Sequence, residues 1–354
     1  MSSLIINIIK IFTLTALTSA LAVIFTPFLT NFLYKHKLWK KAPRRKSIDN
    51  KEAPILYELH KEREVSVPRF GGILIWFIPF LIALIFLFLS QLFPQSFWLG
   101  KFNFFSRAQT WLPFFALVSA ALIGLIDDIL QVKGKGEYIA GGLTFWQRFL
   151  IVALIGLIGG LWFYFKLDWR TIHIPGGGDL YLGPFYILAF IIVMLACWSG
   201  GVIDGLDGLA GGTFASIFTA YGIIAFFREQ YDLAAFCGVV TGAILSFLWF
   251  NIPPARFYMG ETGSLALTSS LCVVAFLTDS ILVLPIIAGL LVIEAGSVIL
   301  QLFFKKFFKR KIFLSTPLHH HLEAKGWPHY KITMRFWTIG IVLAIIGVTI
   351  RLLG

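Results

Sequence analysis

Charge is scarce in this 354-residue chain: 14% of its residues are Asp, Glu, Lys or Arg, and only 18 are acidic. A soluble domain carries about a quarter charged residues, so the shortage excludes a water-soluble globule and, with so many apolar residues, a disordered chain as well. Cysteine is scarcer still. Cys197, Cys237 and Cys272 each sit in an apolar stretch with no Cys-x-x-Cys pair, which argues against both a disulfide framework and a zinc site. No Ser/Gly-rich or repetitive tract divides the chain, so residues 1–354 read as a single membrane domain. The first apolar run carries only Lys10 before Tyr34 and lacks a small-residue cleavage site, so it reads as an uncleaved span rather than a signal peptide.

What is present is apolar sequence in membrane-length pieces. Apolar residues make up 58% of the chain and the mean hydropathy is +0.83, and the uncharged runs match the roughly 20 helical residues that cross a bilayer's hydrocarbon core. Hydropathy places ten spans near 4–34, 71–93, 111–128, 149–165, 185–203, 213–228, 233–250, 264–278, 281–304 and 333–353. The fold expected is therefore an all-α polytopic integral membrane protein of about ten transmembrane helices. With the N-terminus outside, the loops 35–70, 127–148, 204–212, 251–263 and 305–335 face the cytoplasm and hold 23 of the 30 Lys and Arg residues, against five in the opposite loops. This asymmetry orients the chain with both termini outside the cytoplasm. The net charge of +12 is then mostly the orientation signal, with anionic lipid or an anionic substrate as secondary attractions, and nucleic acid drops out as a partner.

Carboxylates near hydrocarbon are costly and tend to be kept for a task. Asp127-Asp128 closes the third span; Asp204 and Asp207 follow the fifth in a run containing Gly205, Gly208, Gly211 and Gly212; Glu261 precedes the eighth between Gly260 and Gly263; His319-His320-His321 lies in the last basic loop. The topology, derived from Lys and Arg alone, puts all four groups on one face. Each also has an ordinary reading: a solvated helix end for an acid, close helix packing for glycine, a solvated turn for the histidines. Adjacent carboxylates, however, repel unless a cation lies between them or one stays protonated, which suits Mg²⁺ binding or proton abstraction. Glycine turns leading into helices present N–H groups where a phosphate can approach. Together these point to phosphoryl transfer with a lipid acceptor or donor at the cytoplasmic interface, by alignment and charge neutralisation. Glu294, in the middle of a span, must pair or line a cavity, and both a structural hydrogen bond and a substrate role are open to it. A transporter would carry more polar residues at mid-span than Glu294 alone.

The same residues resemble the polyprenyl-phosphate N-acetylhexosamine-1-phosphate transferases. The resemblance rests on Asp127-Asp128, on Asp204 through Ala210, on Phe250-Asn251-Ile252-Pro253-Pro254-Ala255 running into Met259-Gly260, and, for the phospho-N-acetylmuramoyl-pentapeptide transferase branch, on Pro317-Leu318-His319-His320-His321-Leu322-Glu323 with Lys325-Gly326-Trp327 and Arg335-Phe336-Trp337. It implies ten helices, commonly as a homodimer among membrane lipids, in a bacterial cytoplasmic membrane with the active site on the cytoplasmic face. Undecaprenyl phosphate would attack the β-phosphate of UDP-N-acetylmuramoyl-pentapeptide, with Mg²⁺, to release UMP and form the first lipid intermediate of peptidoglycan. The sequence leaves open direct attack or a covalent aspartyl intermediate, and transfer of another N-acetylhexosamine phosphate or an inactive relative as alternatives. Carried over residue by residue, Asp127, Asp128, Glu261 and His319 would be catalytic, with Glu261 and Asp127 on the metal. Lys61, Asp204, Asp207, Asn251, Tyr258, His320 and His321 would bind substrate. The chain departs from the family pattern in Glu261 for Asp, in Gly201 for Asn, and in Val67-Pro68-Arg69-Phe70-Gly71-Gly72 for Thr-Pro-x-x-Gly-Gly. The basic residue ahead of that segment is Lys61 or Arg63, and Arg148 fills a Lys position.

Overall fold

The computed structural model describes residues 2–43, 52, 54–135 and 142–354. Arg44, Arg45, Lys46 and Lys51 of the basic first loop, and 136–141 of the next, lie outside the described residues. Elsewhere the chain is helical, as it must be where no water can satisfy a backbone N–H or C=O. Nine helical spans are long and apolar enough to cross a membrane among the described residues: α1 Ser3–Lys35; α3 Ile73–Leu92; α5 Trp111–Lys133; α6 Phe145–Leu161, extended by a π-turn to Lys166; α7 Phe185–Ser199, extended to Ile203; α8 Leu209–Phe227; α9 Tyr231–Asn251; α10 Gly260–Leu277; and α14 His329–Leu353. Short helices α2 Pro54–His60, α4 Phe97–Phe102, α11 Leu284–Ile287 and α13 Leu318–Ala324 lie between them, as does a hairpin of β1 Thr171–Ile174 and β2 Gly178–Tyr181. The ninth stretch expected from hydropathy, 281–304, breaks at Ala288 into α11 and α12 Gly289–Phe307. Helix α12 carries Glu294, Lys305 and Lys306, three charges within the length of one span, which sets it apart from the nine.

Helix α10 is the centre of the molecule, buried almost along its whole length. Its small residues let neighbours approach closely, the means by which membrane helices pack when lipid is as apolar as leucine. Two of its hydroxyls fold back on its own carbonyls, Thr268 Oγ1 to Ser264 O at 2.9 Å and Ser270 Oγ to Ala266 O at 2.8 Å, and Thr262 Oγ1 reaches across to Ala121 O at 3.0 Å. Helix α5 packs so tightly on it that a Cβ at Gly124 would lie 2.3 Å from the Glu261 carbonyl oxygen. Helix α1 runs along the outside, turning Phe12, Ile24 and Phe28 outward where lipid belongs.

The termini lie away from the acidic groups. Gly354 O is 2.8 Å from His173 Nε2 on the hairpin, and the first turns of α1 place Lys10 against Asp232 and Asn103. At the other end, Tyr34 donates to Arg256 O at 3.0 Å and Arg69 N to Leu38 O at 3.0 Å. The four acidic and histidine segments gather at this second end.

Candidate active site

The first turn of α10 has N–H groups with no partner inside the helix. Asp128, fully buried at the end of α5, supplies the missing acceptor: its Oδ1 takes Glu261 N at 3.1 Å and its Oδ2 takes Thr262 N at 2.9 Å. A carboxylate also suits the positive end of the helix dipole. The approach requires glycine at 260, where φ is +74° and a Cβ would lie 2.5 Å from Asp128 Oδ2. Arg69 completes the set, with Nε donating to Asp128 Oδ1 at 3.0 Å. Burial costs the Arg69 guanidinium, yet Asp128, Asp204 and Glu261 outweigh that cost and hold its pKa above the ordinary value.

Asp127 points the other way, into a small cleft lined by Ile123, Leu143, Arg148, Ile151, Trp198 and Glu261. Its carboxylate accepts Leu143 N at 2.6 Å, Gln131 Nε2 at 2.7 Å and Arg148 Nη2 at 2.9 Å. The same guanidinium reaches Glu261 Oε1 through Nη1 at 2.7 Å. Arg148 therefore bridges the two carboxylates that would otherwise repel. The arm of Glu261 is long enough to span the distance to it.

The Asp204–Asp207 turn closes the third side. Burial lifts the Asp204 pKa to about 7; Glu261 and Asp128 push in the same direction, and Arg69 opposes them. Asp207 is buried and tied down: Oδ2 accepts Arg63 Nη2 at 2.7 Å and Ala255 N at 3.1 Å. Asn251 fastens this turn to the next loop, accepting Gly208 N at 2.9 Å and donating to Phe257 O at 2.8 Å. Tyr258 is locked to the first loop by its backbone, accepting from Gly71 N at 2.9 Å and donating to Pro68 O at 2.8 Å. Burial, with Asp207 nearby, raises the pKa of its hydroxyl, so that it stays protonated.

The histidines arrive from α13. His319 is fully buried, and Glu294 of α12 holds it twice: its Oε1 accepts His319 N at 3.2 Å and its Oε2 lies 3.0 Å from Nδ1. A carboxylate only accepts, so the proton sits on Nδ1. His319 Nε2 is left buried without a hydrogen-bond partner and faces Gly205, where a Cβ would lie 2.3 Å from it. His320 is neutral, its pKa pushed down to about 3 by burial and by His319 despite Glu323. Its Nε2 also faces Gly205, 3.1 Å from where a Cβ would be.

Of the residues singled out from sequence, Asp127, Asp128, Asp204, Glu261, His319 and His320 come together, with Asp207, Asn251 and Tyr258 in the layer beneath them. Two lie apart. Lys61 pairs with Glu58 at 2.6 Å, while Arg63 is the basic residue that reaches Asp207; His321 turns toward the 313–314 backbone, accepting Leu314 N at 3.1 Å. Arg69 and Glu294 are the residues whose part sequence reasoning did not assign. Arg69 stood only at an unspecified position of a motif, and Glu294 as a mid-span acid that must pair or line a cavity.

The class is a transferase: residues 110–279 match the family described as Glycosyl transferase family 4. Relatives narrow it further. A phospho-N-acetylmuramoyl-pentapeptide-transferase of Listeria monocytogenes is 35% identical over 331 residues, 92% of each chain, and one of Anoxybacillus flavithermus is 35% identical over 339 residues, 95% of this chain and 94% of the relative. One of Listeria welshimeri is 41% identical over 247 residues, 69% of this chain and 75% of the relative. The chain belongs to the phospho-N-acetylmuramoyl-pentapeptide-transferase family and is an enzyme of that kind.

Proposed function

We propose that the chain transfers phospho-N-acetylmuramoyl-pentapeptide from its UDP-linked form to undecaprenyl phosphate at the cytoplasmic face of a bacterial inner membrane, with both termini on the other side. The observation that carries this reading is the meeting of four separate segments at one end of the bundle, around a cleft whose mouth is charged and whose wall is apolar. Arg148, Asp127 and Glu261 would face a lipid's phosphate while Ile123, Ile151, Trp198 and Leu265 face its chain.

In this reading an oxygen of the prenyl phosphate attacks the β-phosphorus of the donor. The bond from that phosphorus to the bridging oxygen breaks, and UMP leaves with the electron pair. Asp127 takes the proton of a monoprotonated acceptor phosphate, and Arg148 and Arg69 offset the charge that the two phosphates bring together. Both Asp127 and Asp128 already accept three hydrogen bonds, which blunts them as nucleophiles and supports direct attack over an aspartyl intermediate. Asp128 is a positioning residue: it fixes Glu261 by capping α10. Asp204, Asp207 and Tyr258 would hold the nucleotide, and Lys61, at the rim, would draw it in. His319 Nε2 and His320 Nε2 would meet the sugar-phosphate, with Asn251 holding the turn and His321 toward the peptide side.

The donor set fits Mg²⁺, which takes oxygen ligands and binds through one or two carboxylates plus substrate phosphates. Glu261 and Asp127, drawn to one guanidinium, present hard oxygens to one cleft and would hold it. When bound, the ion neutralises and aligns the phosphates. The homodimer implied by the resemblance belongs to the same proposal, and light scattering in detergent reads it.

The test is UMP release from undecaprenyl phosphate and UDP-N-acetylmuramoyl-pentapeptide with Mg²⁺. Wild type should release UMP and Asp127→Asn should lose about 10²–10⁴-fold in kcat, the usual worth of a positioned proton acceptor. Glu261→Asp should retain turnover. A wild-type chain that releases no UMP, while a relative does so in the same assay, overturns the reading.

A further inference from the structure

Beside the cleft, three imidazoles from three segments converge on one buried carboxylate. Glu323 Oε2 lies 3.0 Å from His60 Nε2 and 2.9 Å from His320 Nδ1, and its Oε1 meets His329 Nε2. His60 closes α2, His320 and Glu323 share α13, and His329 opens α14. One ligand atom from each of His60, His320 and Glu323 lies within 4.8 Å of the other two. The rings of His60 and His320 meet edge to face with centroids 5.0 Å apart.

We propose that His60 Nε2, His320 Nδ1 and Glu323 Oε2 form a binding site for a zinc-type divalent transition metal ion beside the phosphate cleft, toward which the other nitrogen of His320 is turned. Two imidazoles and a carboxylate suit zinc and its neighbours rather than magnesium or calcium, which select oxygen. Both separations from Glu323 Oε2 suit a tetrahedral ion, and the two imidazole nitrogens lie within 4.8 Å of each other. With bonds of about 2.0–2.1 Å its ligand atoms stand about 3.3 Å apart, so the existing 2.9 and 3.0 Å separations need open by only a few tenths of an ångström. A fourth position is left for solvent.

The surrounding partners support the site. Arg63 Nη1, which can only donate, lies 3.4 Å from His329 Nδ1. That puts the His329 proton on Nε2, where it donates to Glu323 Oε1 and leaves Oε2 to face the ion, as the outer partners of ligating carboxylates do. A second convergence of metal-capable groups, His173, Asp179 and Asp279 at the opposite end, lacks this geometry: His173 spends one ring nitrogen on Asp179 and the other on the Gly354 carbonyl. The thiols argued against zinc in the sequence, and they take no part here. An ion at Glu323 would clamp α2 to α13 and α14. It would thereby hold Arg63 on Asp207 and keep the Nε2 atom of His320 turned to Gly205.

The test uses the full chain, purified with a tag free of histidine, stripped by a chelator and titrated with Co²⁺ alone. One Co²⁺ per chain should bind with the visible absorption of a four-coordinate ion and be displaced by one Zn²⁺. His60→Gln and Glu323→Gln should each abolish that absorption, His329→Gln should weaken Zn²⁺ binding about 10–100-fold, and Asp127→Asn and His173→Gln should leave it intact. No such absorption in the wild type, or absorption that survives both His60→Gln and Glu323→Gln, overturns the proposal. A second reading needs no variant: X-ray absorption of the zinc-loaded wild type should show two imidazoles at about 2.0–2.1 Å, and a shell of oxygen alone overturns it equally.

Discussion

The two ends of the bundle treat charge differently. At the end holding the termini, the buried cations have partners of their own: Lys10 meets Asp232, and Arg351 donates to Ser280 Oγ at 3.0 Å. Helix α9 starts there with Asp232 N and Leu233 N both donating to Gln109 Oε1, at 3.1 and 3.2 Å. At the other end partners are shared. Arg148 serves Asp127 and Glu261, Arg69 stands among Asp128, Asp204 and Glu261, three imidazoles crowd Glu323, and His319 Nε2 has no partner. Pairs matched one to one are complete without a ligand, whereas shared ions leave capacity that an incoming phosphate can use. The first pattern holds a membrane fold together; the second marks where it works.

That contrast can be broken in order of expected effect. Asp128→Ala strips the first turn of α10 of its acceptor and leaves Arg69 buried without its carboxylate. Losing one partner of a buried pair costs about 3–5 kcal/mol, and thermal unfolding in detergent should show it along with lost UMP release. His319→Ala should lower kcat by about 10²-fold and also lower the unfolding temperature, because it leaves the buried Glu294 carboxylate without its imidazole. Glu294→Gln, which keeps one acceptor for the imidazole but weakens its hold on the Nδ1 proton, should cost about 10-fold, comparable with the loss of an outer-shell partner. A kcat unchanged by His319→Ala would remove the imidazole from the reaction.

Next comes pH. The folded chain prefers Asp204 protonated, with a pKa of about 7 against 3.8 in the ordinary carboxyl. The stability this contributes is complete below pH 3.8 and is lost as pH rises through 7. The unfolding temperature should therefore fall between about pH 4 and 7 and level off above that, Asp204→Asn should flatten that slope, and Arg69→Gln should extend it to higher pH. The smallest effect belongs to the other end: replacing Lys10 and Asp232 together by Met and Leu should shift stability by no more than about 1–2 kcal/mol, since a buried pair exchanged for apolar side chains is often near neutral, and UMP release should not change. A large loss of activity in that double variant would erase the distinction between the two ends.

Much of this was legible in the chain itself. Nine spans follow from apolar runs because length and hydropathy alone decide whether a helix can lie in lipid, and the positions of Asp127, Asp204, Glu261 and His319 on one face follow from where the runs stop. The ninth stretch, 281–304, was less legible, because a break at Ala288 leaves no periodic mark. Pairings across long separations were the part hidden from sequence. Lys61 and Arg63 carry the same charge two residues apart, and only the turn that follows α2 sends Arg63 to Asp207. Glu294 and His319 are 25 residues apart, and His60 and Glu323 are 263 apart; nothing local marks either pair. Asp127 and Asp128 look interchangeable on paper, yet successive residues of a helix point about 100° apart, so one faces the cleft and the other the start of α10.

The cap that α10 borrows from α5 has a mechanical consequence. A helix whose leading turn is held by an acid from a neighbour cannot slide or tilt alone, because a shift of one residue would strip two amides and bare a buried anion. Any rearrangement during turnover must carry both rods as one body, leaving the turns around Gly205 and the α13 segment to do the yielding.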